Sequence, residues 1–288
     1  MRWASLAPET TLWIVKAAGM RSLVGRSHLC KEPASIQNLP VCTRPNAHRE
    51  GWEAFLGPYA PDYGALSTLR PDGIAFLIDS MPPDLAEADL MNLFQKAVGY
   101  PAQLLPIRAA DWDSYEKLVL SLKTQLRAGR SFERWFDDQR RRYERLLSLT
   151  QRLTHKPTVA CLQPTIPLSA MGRWAELVAT WGGGVNVLVG ERLFWEKLLH
   201  LDPEVIILSL PGSTLNEAGE ALSQWARLPQ VQGLSAFRAK RLYAFKGTAG
   251  LFYPSPLLVS AAEGLYELLH TPTYRFNRHI GRLWAPLL

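Results

Sequence analysis

Cysteine is scarce in this sequence, and so are long apolar runs. The three cysteines, Cys30, Cys42 and Cys161, are odd in number and show no CxxC spacing, so the pattern excludes a disulfide framework. No apolar stretch approaches the roughly 18 residues needed to span a bilayer, and we expect no membrane insertion. The chain of 288 residues is long enough to bury one large core or two smaller ones.

Motifs of catalysis are also missing. The sequence contains no GxSxG, HExxH, P-loop or GxGxxG pattern, and Gly182-Gly183-Gly184 follows a predicted helix instead of leading from a strand into one. We therefore predict a binding protein and not an enzyme. Residues distant in sequence can still assemble a catalytic centre, so a cytoplasmic metal- or thiol-dependent enzyme, or a ligand sensor on the same fold, stays open as the alternative.

The positive charge is spread along the chain. The formal net charge is +6 and the pI is about 9.3, but the one tight basic run, Arg140-Arg141-Arg142 with Arg145, follows Asp137 and Asp138. Carboxylates and guanidinium groups at that spacing are typical of ion pairs on a solvated helix face. We therefore expect no nucleic-acid partner, and we expect a monomer.

The amino terminus shows no secretory pattern. Met1-Arg2 leads directly into an apolar segment, Trp3 to Leu6, which is typical of a strand and lacks the apolar core and cleavage site of a signal peptide. For the sequence as written this predicts a cytoplasmic location, and a periplasmic one if a leader has been removed.

Strand and helix patterns alternate in the first and last thirds of the chain, with helices between them. From Phe132 to Leu153 apolar residues recur with a period near 3.6, which predicts one helix about 33 Å long. Alternating strands and helices are typical of parallel sheets covered on both faces. The predicted fold is α/β, with two small parallel-sheet lobes (1–110 and 157–270), a helical linker (111–156) and a C-terminal extension (271–288).

One segment of the first lobe resembles one of the second. Leu69-Arg70-Pro71-Asp72 before the strand from Gly73 has a counterpart in Leu201-Asp202-Pro203-Glu204 before the strand from Val205. In each segment a helix end is followed by a proline that stops it, an acidic residue and a buried strand. The repetition predicts two lobes of similar construction.

In order and spacing these features resemble the substrate-binding proteins of the vitamin-B12, haem and iron-siderophore type, which serve ABC importers. The segments that carry the resemblance are Arg2 to Thr11, Gly25 to Pro33, Leu39 to Val41, the two repeated elements and Gly182 to Asn186. It implies a ligand cleft between the lobes and a corrinoid, cobalamin-like ligand or another metal chelate. It also implies an ABC permease as partner, with Glu196 as the second-lobe docking carboxylate; the first-lobe position falls on Gly64.

Candidate ligand-binding residues follow from the position of ligands in open α/β sheets, beyond the carboxyl ends of the strands. They are, in the first lobe, Glu9, His28, Cys30, Trp52, Tyr59 and Ser80, and, in the second, Gln163, Thr165, Ser213, Thr248, Gly250, Phe252 and Tyr253.

His28 and Cys30 form the sharpest pair among these candidates. A neutral imidazole is a good ligand for cobalt, iron or zinc, and a thiolate suits a soft metal. In the alternative interpretation His28 bonds its own loop and Cys30 packs as a small hydrophobic residue.

The other candidates also have two interpretations. Glu9 with Thr10 fits either a helix cap or a ligand contact. The aromatic residues Trp52, Tyr59, Phe252 and Tyr253 either flank a macrocycle or pack at a rim. Thr248 to Gly250 could offer backbone N–H groups to a ligand carboxylate or amide.

Overall fold

The computed structural model describes residues 1–46, 51–79, 86–165, 167–270 and 278–287. Contacts within the chain divide it into two compact units. Unit 1 comprises Met1–Phe136 with Tyr253–Ser255, and unit 2 comprises Asp137–Phe252 with Pro256–Leu288. The lobe boundaries that the sequence suggests stay a prediction.

Unit 1 is built on a parallel sheet of four strands. The strands of this unit are β1 (Trp3–Ser5), β2 (Leu23–Gly25), β3 (Thr43–Pro45), β4 (Tyr59–Pro61), β5 (Gly73–Leu77) and β6 (Gln103–Ile107). The parallel sheet has the order β2-β1-β5-β6, and β3 pairs with β4 in a separate antiparallel ribbon. The parallel sheet predicted for the first lobe is therefore confirmed.

Four α-helices accompany this sheet. They are α1 (Pro8–Ala18), α2 (Tyr63–Leu69), α3 (Glu87–Val98) and α4 (Trp112–Gln125). The start of α4 is defined by a capping box, in which the Asp111 carboxylate accepts the Ser114 N–H at 2.8 Å. The core lies between β5 and the helices, where Phe76 packs edge-on against Phe94 of α3.

The long helix predicted at Phe132–Leu153 is present as α5 (Arg130–Thr150). Its 21 residues span about 31 Å, and the division between the units falls inside it. The helix begins at Arg130, directly after Gly129. Neither α5 nor any other helix in the described ranges is long and apolar enough to cross a bilayer.

Unit 2 contains a second sheet whose centre is parallel. Its strands are β7 (Thr158–Gln163), β8 (Ser169–Ala170), β9 (Val185–Asn186), β10 (Val205–Leu208), β11 (Leu242–Phe245) and β12 (Trp284–Pro286). The order is β12-β11-β10-β7-β8, with β9 also paired to β7. The flanking strands β8 and β12 are antiparallel to their neighbours, an arrangement that the strand–helix alternation does not predict.

Unit 2 contains helices between its strands, in line with the predicted alternation. They are α6 (Arg173–Trp181), α7 (Trp195–Leu201), α8 (Leu215–Trp225), α9 (Pro229–Gln232), α10 (Ser235–Arg238) and α11 (Leu258–Leu269). Helix α7 begins at Trp195 and not earlier. The backbone before it is used elsewhere, because the Glu191 carbonyl accepts the Ala170 N–H at 2.8 Å.

The repeated segment has the same structure in both units. Helices α2 and α7 end at residues in the left-handed region, Arg70 (φ 42°) and Asp202 (φ 36°). The acidic residue that follows holds the start of a neighbouring strand: Asp72 accepts the Arg2 N–H at 2.7 Å, and Glu204 accepts the Thr158 N–H at 3.0 Å. The similar construction predicted for the two halves is confirmed in this detail.

Candidate functional site

Three strands of unit 1 end beside one another and deliver the candidate residues of that unit. Glu9 follows β1, His28 and Cys30 follow β2, and Asp79 follows β5. Because β2, β1 and β5 are adjacent and parallel, their carboxyl ends share one edge of the sheet, the edge where ligands bind in open α/β sheets.

Glu9 is the least ordinary side chain in this group. It is fully buried, and neither carboxylate oxygen has a hydrogen-bond partner among the described residues. Burial raises the pKa of Glu9 to about 8, so the carboxyl group is mostly protonated at neutral pH. The capping role belongs to Thr10, whose hydroxyl accepts the Ala7 N–H at 3.1 Å, and not to Glu9.

Tyr59 shares this apolar environment. Its side chain is buried and its hydroxyl has no hydrogen-bond partner in the described part of the chain. Burial raises the pKa of Tyr59 well above its ordinary value, and the nearby acidic groups of Glu9 and Tyr253 add to the shift. Gly57 brings Tyr253 close: a Cβ at Gly57 would lie 2.9 Å from the Tyr253 hydroxyl, so a side chain there would displace the tyrosine.

His28 is half-buried and held by one threonine. Its backbone N–H donates to Thr43 Oγ1 at 2.9 Å, and its Nδ1 lies 2.8 Å from the same oxygen. Burial lowers the pKa of His28, so the imidazole is neutral at pH 7. Nε2 takes part in no hydrogen bond with a described residue and so has a lone pair or proton free for a ligand.

Cys30 lies in a different local environment. The thiol is buried and donates to Thr11 Oγ1 at 3.0 Å, and burial is the main cause that raises its pKa to about 12. A protonated, buried thiol is neither a nucleophile nor a metal ligand. These contacts favour the packing interpretation of Cys30 and give no support to a thiol-dependent enzyme. No group of three or more His, Cys, Asp or Glu side chains within the described ranges could hold a metal ion.

The remaining candidates of unit 1 are Trp52 and Ser80. Trp52 packs on Phe94 with 5.4 Å between ring centroids and covers the hydrophobic core, in line with the packing interpretation. Ser80 lies outside the described residues.

In unit 2 the candidates again lie where parallel strands end. Gln163 is the last residue of β7 and is half-buried. The Thr165 hydroxyl donates to the Pro167 carbonyl at 2.7 Å, and the Ser213 hydroxyl donates to the Leu210 carbonyl at 2.8 Å. Both hydroxyls therefore stabilise the turns on which they lie.

A glycine joins two of these loops. Gly247 donates its N–H to the Ser213 carbonyl at 3.0 Å, and a Cβ there would lie 1.9 Å from the Leu210 carbonyl oxygen. Only glycine allows this approach, which places the loop with Thr248, Gly250 and Phe252 against the loop with Ser213. Gly250 has a φ of +100°, a conformation that a side chain rarely adopts.

Glu196 is exposed in the first turn of α7. Exposure is what a docking carboxylate requires, and its role in docking stays a prediction.

The sequence did not point to Thr11 and Thr43, which hold Cys30 and His28. It also did not point to Glu263 and Glu267, which lie one turn apart on the otherwise apolar and mostly buried helix α11. Two carboxylates at i and i+4 in such a helix require partners, and that signal could have identified them.

Known structures with the same fold identify the kind of fold that this chain has. No protein-family model and no curated protein matches the chain. A periplasmic haem-binding protein from Pseudomonas aeruginosa aligns with 100% of this chain over 98% of its own length, at 19% identity and a TM-score of 0.76. The periplasmic vitamin B12-binding protein of Vibrio cholerae aligns with 95% of this chain over 98% of its own length, at 19% identity and a TM-score of 0.69. The chain has the fold of these binding proteins.

A further match has the same character. The haem-bound protein IsdE of S. aureus covers 93% of the chain with 98% of its own, at 16% identity and a TM-score of 0.66. The resemblance inferred from the sequence is thus confirmed at the level of the fold, and the matched proteins are named as binding proteins, as the sequence predicts for this one. The expectation of a cytoplasmic location is wrong, because the haem- and B12-binding proteins of Pseudomonas and Vibrio are named as periplasmic.

Proposed function

We propose that the protein is the substrate-binding component of an ABC importer and that its ligand is a metal-chelate macrocycle, either a haem or a corrinoid. One observation carries the proposal: the whole chain matches solved haem- and B12-binding proteins over nearly their whole length. A fold can host many functions, so the ligand class also has to fit this chain's own residues.

His28 supports a metal-containing ligand. Its imidazole is neutral because burial lowers its pKa, and neutral imidazole is the form that ligates iron or cobalt. Thr43 orients the ring through Nδ1, as the outer partners of ligating histidines do. We propose that Nε2 is the atom that meets the ligand's metal.

The loops at the carboxyl ends of both sheets would supply the other contacts. In unit 1 these include Tyr253, with the buried Glu9, Tyr59 and Cys30 and the packed Trp52 behind it. In unit 2 they include Gln163, Ser213, Thr248, Gly250 and Phe252. Phe252 and Tyr253 are half-buried, so each retains exposed ring surface on which a flat macrocycle can pack.

The test is a spectroscopic titration of the purified protein with haem, and separately with aquocobalamin and dicyanocobinamide. We expect saturable changes in the visible bands with one of these ligand classes, which also decides between haem and corrinoid. The His28→Ala variant should lose affinity by more than about tenfold and should shift the band position, because the metal would lose the imidazole that we propose as its ligand.

His200→Ala is the matched control, because His200 is an exposed histidine on α7 and should leave the titration unchanged. An absence of any spectral change with all three compounds at high micromolar concentration would refute the ligand class. Equal effects of the two histidine variants would refute the role of His28 but not the ligand class.

The importer partner is a separate part of the proposal. Glu196 is the docking candidate of unit 2, and at the corresponding position of unit 1 stands Gly64. A permease that engages this protein would therefore rely on one carboxylate contact where two are implied by the resemblance.

A further inference from the structure

A small cavity lies in unit 2, apart from all the candidate residues described above. Its volume is about 150 Å³, which is room for several water molecules or one small ion. It is below the range of sites for drug-sized ligands. The wall is formed by Arg142, Arg145, Leu146 and Leu149 of α5, by Glu263, Tyr266 and Glu267 of α11, and by Arg278 and His279.

The Glu263 carboxylate already has hydrogen-bond partners within this wall. It accepts hydrogen bonds from Arg142 Nε and from His279 Nε2, each at 3.0 Å. Burial alone would raise the pKa of Glu263, but these two partners outweigh it and lower the pKa to about 2. Glu263 therefore stays ionised and fixes the positions of Arg142 and His279.

The Glu267 carboxylate is occupied as well. It accepts the backbone N–H groups of Arg278 and His279 at 2.8 and 3.0 Å and the Trp284 indole N–H at 3.2 Å. Its hydrogen bonds hold the segment before β12 against α11. Neither glutamate is therefore available to the other arginines of the cavity.

Two guanidinium groups remain at the rim. Within the described part of the chain, the structure shows no acidic partner for the side chains of Arg145 and Arg278, both of which are exposed. The wall thus carries three arginines against two glutamates, a net positive charge even with His279 neutral. Guanidinium groups bind carboxylates and phosphates through paired N–H donors.

Arg142 was expected on a solvated helix face, but its side chain lies mostly buried in the cavity wall. Its side chain is only 23% exposed and also donates to Ser260 Oγ at 2.9 Å, so its guanidinium is held rigidly at the wall. Leu146 and Leu149 contribute apolar surface to the lining.

We propose that this cavity binds a small oxyanion, a phosphate or a short carboxylate, through Arg145 and Arg278 at its rim. The site is independent of the proposed haem or corrinoid ligand. An oxyanion here would link α5 to the segment before β12, because Arg145 belongs to the first and Arg278 to the second.

The experiment is isothermal titration calorimetry of the full chain with sodium phosphate and, separately, sodium succinate, at constant ionic strength. We expect saturable binding of one of them at one site per chain. The double variant Arg145→Gln/Arg278→Gln should weaken it by more than about tenfold. The compound that binds shows whether the cavity is a phosphate site or a carboxylate site.

The matched control is the double variant Arg141→Gln/Arg282→Gln. These two arginines are exposed on the same two segments but do not line the cavity, and the change removes the same net charge. The control should bind as the parent chain does. Equal loss in both double variants would show general charge attraction only, and an absence of saturable binding with either anion would also overturn the proposal. The visible titration with haem or cobalamin should be unchanged in both variants, which separates this site from the proposed function.

Discussion

Glu9 and Glu263 are both removed from water to a large degree, yet their pKa values move in opposite directions. The pKa of Glu9 rises to about 8, whereas that of Glu263 falls to about 2. Desolvation acts on both in the same sense, towards the neutral acid. The difference lies in their partners: Glu263 meets Arg142 and His279, and Glu9 meets none among the described residues.

The comparison shows that partners decide the charge of a buried carboxyl group, and that burial alone does not. In unit 2 an ionised glutamate organises a charged cavity wall. In unit 1 a neutral glutamate lies near Tyr59 and Cys30, and desolvation outweighs the one interaction with its own backbone that favours its charge. Buried carboxyl groups with a raised pKa are frequent at functional sites, which agrees with the position of Glu9 at the carboxyl end of β1.

The largest effect is expected for Glu9→Gln. Because the pKa of Glu9 is about 8 in the folded protein, above the ordinary value of 4.5, the folded state holds a proton that the unfolded chain releases. Stability should therefore fall as pH rises from about 4.5 to 8, by about 4 kcal/mol. The Gln variant should lack this decline, as urea unfolding at pH 5 and pH 8 would show.

Glu220→Gln is the control for that measurement. Glu220 is exposed on α8, so its replacement should leave the dependence of stability on pH as it is in the parent chain. If Glu9→Gln follows the same decline with pH as the parent chain, Glu9 is not the buried neutral acid described here.

A smaller effect is expected for Glu263→Gln at pH 7. The change leaves the Arg142 guanidinium in a mostly buried position without its carboxylate, and we expect a loss of about 2 kcal/mol in the free energy of unfolding. The same urea experiment measures it, with Glu220→Gln again as the reference. An effect no larger than that of the reference would mean that Arg142 finds another partner, and the contrast between the two glutamates would fail.

The smallest effect is expected for Tyr59→Phe. Its hydroxyl is buried and has no hydrogen bond to a described residue, so its removal should change stability by less than about 1 kcal/mol and in the favourable direction. Tyr115→Phe is the comparison, because the equally buried Tyr115 hydroxyl donates to the Ser255 carbonyl at 3.1 Å. Thermal unfolding should rank Tyr115→Phe as the more damaging. The reverse order would show that the Tyr59 hydroxyl has a stabilising partner after all.

Most of the secondary structure could be predicted because local patterns decide it. Helix α1, for example, runs from Pro8 to Ala18, because a proline suits the first turn and Gly19 follows the last. The two elements with left-handed helix ends were predicted from the repeated proline and acidic residue. Strands β8 and β12 were not, because they flank the sheet in the antiparallel direction and lie outside the alternation of strands and helices.

The candidate site was predictable only in outline. Parallel strands end at one edge of a sheet, so the rule that ligands bind there selected Glu9, His28 and Ser213 without coordinates. The rule says nothing about which hydroxyl or carbonyl each side chain meets. Thr43 and Thr11 are separated from His28 and Cys30 by 15 and 19 residues, and no local pattern connects residues so far apart.

The order of strands and helices, the long helix and the repeated element were determined by the sequence itself, because each depends on neighbours within a few residues along the chain. The ionisation of the acids was decided by the tertiary structure alone. Arg142 and Glu263 are 121 residues apart, and only folding brings the guanidinium to one carboxyl group while leaving Glu9 without any. The charge of a buried group depends on what lies within a few ångströms of it in space, and that is set by packing.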